Sequence, residues 1–252
     1  MKIATYNVNS IRTRLARVLE WMEDEKPDVV CFQETKVTED RFPRLEFEAM
    51  GYKVEALGQK AYNGVAIAAR SEIGDVIRGL PGDEEARLLA GTVAGTRVIS
   101  VYVPNGREVG SKHYVRKLEW LERLRKFLDE RFDPEEPVVM CGDYNIAPED
   151  RDVYDPERWR GKNLCSEPER AAFRKLLDWG FTDALRLYTQ EPEIYTWWDY
   201  RQGMFWRNQG LRIDHHLITA PLTLRLDGVE VRRELRKGEK PSDHVAVVAL
   251  LD

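Results

Sequence analysis

A set of polar residues recurs in this 252-residue chain wherever an apolar, strand-like run ends. Ile3-Ala4-Thr5-Tyr6 runs into Asn7, Val29-Val30-Cys31-Phe32-Gln33 into Glu34, and Val98-Ile99-Ser100-Val101 into Tyr102. Val138-Val139-Met140-Cys141-Gly142 leads to Asp143-Tyr144-Asn145, and Leu211-Arg212-Ile213 leads to Asp214. The C-terminal strand opens with Ser242-Asp243-His244. A strand end presents a side chain at the rim of a sheet while its hydrophobic body anchors the position. Together the six rims offer carboxylates, carboxamides, a phenol and an imidazole, an inventory suited to one divalent cation and one phosphate ester.

Each rim brings its own chemistry. Glu34 and Asp243 suit a hard cation, which takes oxygen ligands through one or two carboxylates and keeps water, with Asn7 as a neutral neighbour. In Gly142-Asp143-Tyr144-Asn145, alternate residues of an extended segment share a face. Asp143 can then orient a water while the Asn145 amide donates to a phosphate oxygen. Asp214 and His244 form a candidate pair in which the carboxylate fixes the ring tautomer and favours the imidazolium. His215 is expected on the opposite face of its strand, whereas His216 shares the face of Asp214. Tyr102 offers a phenol to a phosphoryl oxygen, and Arg107, at the tip of Val103-Pro104-Asn105-Gly106-Arg107, offers a cation to a phosphate or a groove. The stretch Tyr195-Thr196-Trp197-Trp198-Asp199-Tyr200-Arg201, continuing to Phe205-Trp206-Arg207, interleaves aromatics with arginines. That mixture suits nucleobases, a deoxyribose wall and backbone phosphates. Taken singly, each feature has a plain structural alternative: Glu34 as a turn cap, Gly-Asp-Tyr-Asn as a turn, a lone His or Trp as core. Repetition on six rims is what favours a site.

The elements that must position these residues follow from periodicity. Strands are expected near 2–7, 28–34, 52–57, 64–70, 86–94, 96–103, 137–143, 213–219 and 244–250, with Gly95-Thr96 as a hairpin turn. Ile11, Leu15, Val18, Leu19 and Met22 lie on one helical face, with Ser10 as N-cap and Pro27 beyond the end. Tyr114, Leu118, Leu121, Leu124 and Leu128 mark a second helix. Ser166-Glu167-Pro168-Glu169 forms a capping box before a third, which carries Phe173, Leu176 and Leu177 and stops at Gly180. Many strands with few long helices predict two packed sheets covered by helices in one domain over 1–252, rather than an alternating Rossmann pattern. The runs ending at Glu34 and Asp143 resemble each other, which suggests two related halves.

Composition sets outer bounds. With 42% hydrophobic residues and seven Trp the chain can bury a sizeable core. No apolar run approaches the about 20 residues of a membrane span. Cys31, Cys141 and Cys165 lack metal-ligand spacing and read as reduced core thiols, so a cytoplasmic, monomeric protein is expected. The net charge is −5, but four of the 44 acidic side chains are the candidate site carboxylates Glu34, Asp143, Asp214 and Asp243. Local potential rather than total charge steers an anionic substrate, and a bound cation reverses the field where the chemistry occurs.

The segments Tyr6-Asn7-Val8-Asn9, Phe32-Gln33-Glu34-Thr35-Lys36, Asn63-Gly64-Val65-Ala66, Val101-Tyr102-Val103-Pro104-Asn105-Gly106, Cys141 to Pro148, Gly210-Leu211-Arg212-Ile213-Asp214 and Ser242-Asp243-His244 span nearly the whole chain. In this order they resemble the exonuclease III branch of the exonuclease–endonuclease–phosphatase superfamily, the magnesium-dependent apurinic/apyrimidinic endonucleases of DNA repair. The resemblance implies a four-layered α/β sandwich, deoxyribonuclease I-like, with two packed β-sheets flanked by helices and the site at one end. It implies Asn7, Glu34 and Asp243 at a principal Mg²⁺, for which Mn²⁺ can substitute, and Asp143 and Asn145 near a second metal in some schemes. It puts Tyr102 and Asn145 on the phosphate, Asp143 beside the attacking water and Asp214 behind His244. Lys36, Asn105, Arg107, Trp197, Trp206 and Arg212 become DNA contacts, Trp197 against an abasic sugar. Asn9 matches the bacterial style of the family, whereas Gln202–Asn208 departs from known forms and leaves the substrate range open. The implied activity is hydrolysis 5′ to abasic sites in duplex DNA, with trimming of 3′ ends. The rivals are another phosphoesterase on the same scaffold and a non-catalytic binding relative.

Overall fold

Alternation of inward and outward apolar residues builds twelve strands into two six-stranded sheets in the computed structural model, which describes residues 1–252. The first sheet contains β1 (Lys2–Asn7), β2 (Val29–Gln33), β3 (Lys53–Leu57), β4 (Val65–Ala69), β11 (Leu226–Val231) and β12 (Val247–Leu251), in the order β11-β12-β1-β2-β4-β3. The second contains β5 (Gly74–Arg78), β6 (Leu88–Val93), β7 (Thr96–Tyr102), β8 (Val138–Asp143), β9 (Phe181–Asp183) and β10 (Asp214–Thr219), in the order β5-β6-β7-β8-β10-β9. Seven helices accompany them: α1 (Ile11–Glu25), α2 (Arg44–Ala49), α3 (Lys112–Arg131), α4 (Pro156–Trp159), α5 (Glu167–Leu177), α6 (Ala184–Tyr188) and α7 (Ala220–Thr223). Each sheet has one parallel pair, β1 with β2 and β7 with β8, and is otherwise antiparallel. Both parallel pairs need a long crossover, which α1 and α3 supply.

Successive residues on a strand feed different layers. Ile3, Cys31 and Ile67 meet Val98, Val139 and Ile218 between the sheets. Ala4, Phe32 and Ala66 pack outward on Trp21 and Met22 of α1, and Ile99, Met140 and Leu217 on Trp120 and Leu124 of α3 and Phe173 of α5. The result is the expected four-layered α/β sandwich. The helix starts are fixed as their sequences dictate. Ser10 accepts from the Thr13 amide, Ser111 from the Tyr114 amide, and Ser166 with Glu169 closes a capping box. Each such cap contributes about 1 kcal/mol.

Register lines up the rims. Tyr102 lies beside Asp143, and Asp143 opposite Asp214, so three site residues occupy adjacent positions across the second sheet. Asn7 pairs with Gln33, one residue before Glu34, on the first. Strands β5, β9 and β11 lie outside the expected set: β5 has an exposed, polar sequence, β9 is three residues long, and β11 is interrupted by a bulge at Gly228. The hairpin between β6 and β7 turns at Ala94-Gly95, both with positive φ, one residue earlier than expected.

Candidate active site

Non-glycine residues with left-handed backbone crowd the loops at one end of the sandwich: Asn9, Ser10, Glu34, Lys36, Asn63, Arg107 and Asn145 all have positive φ. Such strain persists only where surrounding bonds over-determine the conformation, and it gathers at functional sites. Gly142, inside β8, lets the strand pack against β7, because a Cβ there would fall 1.9 Å from the carbonyl oxygen of Val101. The chain turns past Asp143, at Asn145 with φ 51°. The Asn145 amide donates to Asp143 Oδ1 at 2.8 Å, so Asp143 and Asn145 meet through a side-chain-capped turn rather than through strand alternation.

Asn7 joins the sheets. Its Nδ2 donates to Glu34 Oε1 and to Asp143 Oδ2, both at 2.9 Å, while its Oδ1 accepts from the Asn9 amide. From just ahead of β12, His244 reaches the second sheet: its Nδ1 donates to Asp214 Oδ2 at 2.9 Å, and its Nε2 stands 3.6 Å from Asp143 Oδ2. Asp214 is fixed from behind by Thr196, whose hydroxyl donates to it at 2.6 Å. Burial opposes charge on His244, but the carboxylates of Asp214 and Asp143 outweigh it and push the imidazolium up to about 10. His244 is therefore cationic at neutral pH and cannot accept a proton there. Asp143 behaves in the opposite sense. Burial raises it to about 7, against the pull of His244 and with Asp214 and Glu34 adding to the rise. Tyr102 is buried, and burial with nearby Glu34 and Asp143 holds its phenol protonated well above the ordinary value. Its ring lies 4.7 Å beneath the Arg87 guanidinium.

Glu34, Asp143 and His244 present ligand atoms within 4.8 Å of one another. The oxygen donors of this group, Glu34 and Asp143, are what a hard divalent cation requires. A Mg²⁺-type ion fits here. The profile of the endonuclease/exonuclease/phosphatase family matches residues 4–244. The chain belongs to that family. It is 33% identical to exodeoxyribonuclease III of Haemophilus influenzae, with 99% of each chain covered. Among solved structures it resembles a Neisseria 3′ phosphatase, NExo, bound to product DNA hairpin, at 45% identity and a TM-score of 0.97, covering 100% of this chain and 99% of the other. It also resembles an AP endonuclease from Archaeoglobus fulgidus at 44% identity, with the same TM-score and coverage. Within this metal-dependent family the chain is an exonuclease III-type nuclease, a hydrolase.

The remaining candidates divide. Asp243 stands outside the close donor group; its oxygens accept from Asn9 Nδ2 at 2.8 Å and Trp197 Nε1 at 3.0 Å. Lys36 turns inward, 2.8 Å from Glu34 Oε2 and 2.5 Å from Asn9 Oδ1, and so sits on the metal carboxylate instead of facing outward. Asn105 is exposed and donates to Asn145 Oδ1 at 2.9 Å; Arg107 is exposed beside it. Trp197 lines an open cavity of about 540 Å³ together with Asn105, Val109, Trp159 and Leu164, and Trp206 is 75% exposed on its loop. Arg212 requires a correction. It is 1% exposed, its guanidinium held by Asp152 at 2.6 Å and Asp183 at 2.8 Å, so it is a structural cation under β10 with no access to DNA. His215, on the face away from Asp214 as expected, packs edge-to-face with Tyr144 and Phe173 and contacts Arg212. Thr196, Arg87 and the buried pair Lys117–Glu169 were not among the expected site residues. Only Glu169 carried a signal, as the last residue of the capping box.

Proposed function

We propose that this nuclease hydrolyses the phosphodiester 5′ to an abasic site in duplex DNA, leaving a 3′-hydroxyl, and trims blocked 3′ ends with the same site. The observation that carries this reading is the adjacency of two features across Asn105. On one side stands a preorganised group of Tyr102, Asp143, Asn145 and His244; on the other lies the cavity walled by Trp159, Leu164 and Trp197. An abasic nucleotide lacks the pairing and stacking that resist extrusion, so a partly apolar pocket beside a phosphate site selects it. The same pocket receives the sugar of a 3′ terminus.

Asp143, the carboxylate at the end of β8, is the base that orients and deprotonates the attacking water. His244, held cationic by Asp214, donates to a non-bridging phosphate oxygen as charge develops, as do the Tyr102 phenol and the Asn145 hydrogen not used by Val103. Glu34 and Asp143, bridged by the Asn7 amide, would hold Mg²⁺, or Mn²⁺ in its place, which would supply Lewis-acid stabilisation of the departing 3′-oxygen. Trp197, Asn105, Arg107 and Trp206 orient the DNA around that centre, and Asp243 keeps Trp197 in place through the indole N–H. A 5′-labelled duplex with one central tetrahydrofuran abasic analogue tests the reading, beside a nicked duplex ending in a 3′-phosphate. A Mg²⁺-dependent cut immediately 5′ to the analogue is expected. An intact analogue with rapid removal of the 3′-phosphate would restrict the enzyme to 3′ ends.

A further inference from the structure

We propose that the buried Lys117–Glu169 pair is a positioning device that sets Asn145 against the phosphate and Asn105 beside it, and ties both to the wall of the sugar pocket. The proposal rests on the reading above that Asn145 donates to the scissile phosphate and Asn105 orients the DNA. Lys117 on α3 and Glu169 on α5 are both 0% exposed, beneath the active-site loops. The ammonium donates to the Asn145 carbonyl at 2.6 Å, reaches the Asn105 carbonyl at 3.4 Å and pairs with Glu169 Oε1. The carboxylate is also saturated. Oε1 accepts from the Leu164 amide at 3.0 Å, and Oε2 from the Ser166 amide at 3.1 Å and the Ser166 hydroxyl.

One ion pair thus fastens three loops: that of Asn105, that of Asn145, and the segment leading through Asn163 and Leu164 into α5. Leu164, Asn163 and Asn105 line the cavity, and Asn163 Nδ2 donates to Asn105 Oδ1 at 3.2 Å. Fold stability alone gives little reason for a charged pair here, since apolar residues of similar volume often serve a core as well or better. What apolar residues cannot do is grip two backbone carbonyls. Asn145 needs that grip, because it sits at φ 51°, in the left-handed region. All four of its polar groups are fixed: the amide by Asp143, the carbonyl by Lys117, Oδ1 by Asn105, and one Nδ2 hydrogen by Val103. Gly106, at φ 84°, leaves room for the device; a Cβ there would lie 3.0 Å from the Lys117 stem and 2.5 Å from Asn163 Oδ1.

The test uses the double variant Lys117→Met/Glu169→Gln, which leaves no unpaired buried charge and so retains the fold, with Lys117→Met alone beside it. Cleavage under single turnover is expected to fall by about 30-fold or more, because small misplacements of catalytic groups cost on the order of 100-fold. The Kd for DNA should weaken by less than the rate falls, since the Arg107, Trp197 and Trp206 side chains are unaltered. Amide hydrogen exchange in free protein should rise together over residues 103–107, 144–148 and 161–166. A folded double variant that cleaves at the wild-type rate, or exchange that rises only within α3 and α5, would overturn the proposal. The exchange readout needs no substrate. If wild-type protein failed to cut abasic DNA, the substrate reading would fall and the exchange pattern would still decide the clamp.

Discussion

The site has a buried half and a half nearer solvent. The buried half, formed where β8 and β10 meet His244 just ahead of β12, is dry and locked: Asp143, Asp214 and His244 have side chains 1%, 0% and 4% exposed, each held by named partners. The half around Glu34, just past β2, is wetter and already neutralised, with Glu34 at 18% and its partner Lys36 at 27%. An ion pair this close to solvent is worth about 1 kcal/mol or less and is easily exchanged. A divalent cation entering beside Glu34 can therefore displace the Lys36 ammonium at small cost, whereas nothing displaces Asp214 from His244. The buried half carries the preorganised electrostatics, and the exposed half admits the ion.

Substitutions that break the buried half should have the largest effects. Asp143→Asn removes the base and one cation ligand while keeping the shape. We predict a loss of cleavage of about 10³-fold or more, with DNA affinity changed by no more than a few-fold, read by single-turnover kinetics and a binding titration. Unchanged turnover would end the assignment of Asp143. His244→Gln should cost on the order of 10²–10³ in rate, because it removes one charged donor to the developing oxyanion.

Next in size is an effect on stability rather than rate. His215 and His216 are buried, and burial pushes both down to about 4, with Arg212 adding to the effect on His215. Their folded values lie below the unfolded value near 6.5, so the unfolded chain binds the extra protons. The stability they contribute is complete above about 6.5 and is lost as pH falls toward 4, at roughly 3 kcal/mol per histidine. His244 is the counterpart. Raised to about 10, it stabilises fully below about 6.5 and loses that contribution as pH rises toward 10. Thermal melts at pH 7 and 5 should show acid destabilisation that His216→Phe reduces; an equal drop in that variant would remove the histidine explanation. The smallest expected effect is that of Lys36→Met, a few-fold tightening of Mg²⁺ binding with little change in cleavage under saturating metal. Calorimetric titration with Mg²⁺ measures it, and weaker binding would show that Lys36 supports the site rather than competing for it.

How much of this was legible in the sequence differs between the same two levels of structure. Asn7, Glu34, Tyr102, Asp143, Asp214 and His244 could be placed at rims because each ends or adjoins an apolar run, and local pattern reports local position. Helices α1, α3 and α5 were readable through their apolar stripes and Ser caps, whereas β5, β9 and β11 were too polar, too short or too bulged to show a period. Nothing local distinguishes Arg212, expected among the DNA contacts, from an arginine that reaches a phosphate. Its true partner Asp152 lies 60 residues away and leaves no local mark. Lys117 and Glu169, 52 residues apart, escaped for the same reason. The turn at Asn145 was hidden too, since it is fixed by bonds to Asp143, Val103, Asn105 and Lys117, three of them distant in sequence.

The most direct test of the division between halves compares Glu34→Gln with His244→Gln on the abasic duplex, across a wide range of Mg²⁺ concentration. If the Glu34 half admits the ion and the buried half around His244 holds the phosphate, high Mg²⁺ should restore much of the Glu34→Gln rate and none of the His244→Gln rate. Equal rescue of both variants, or rescue of His244→Gln alone, would contradict the account.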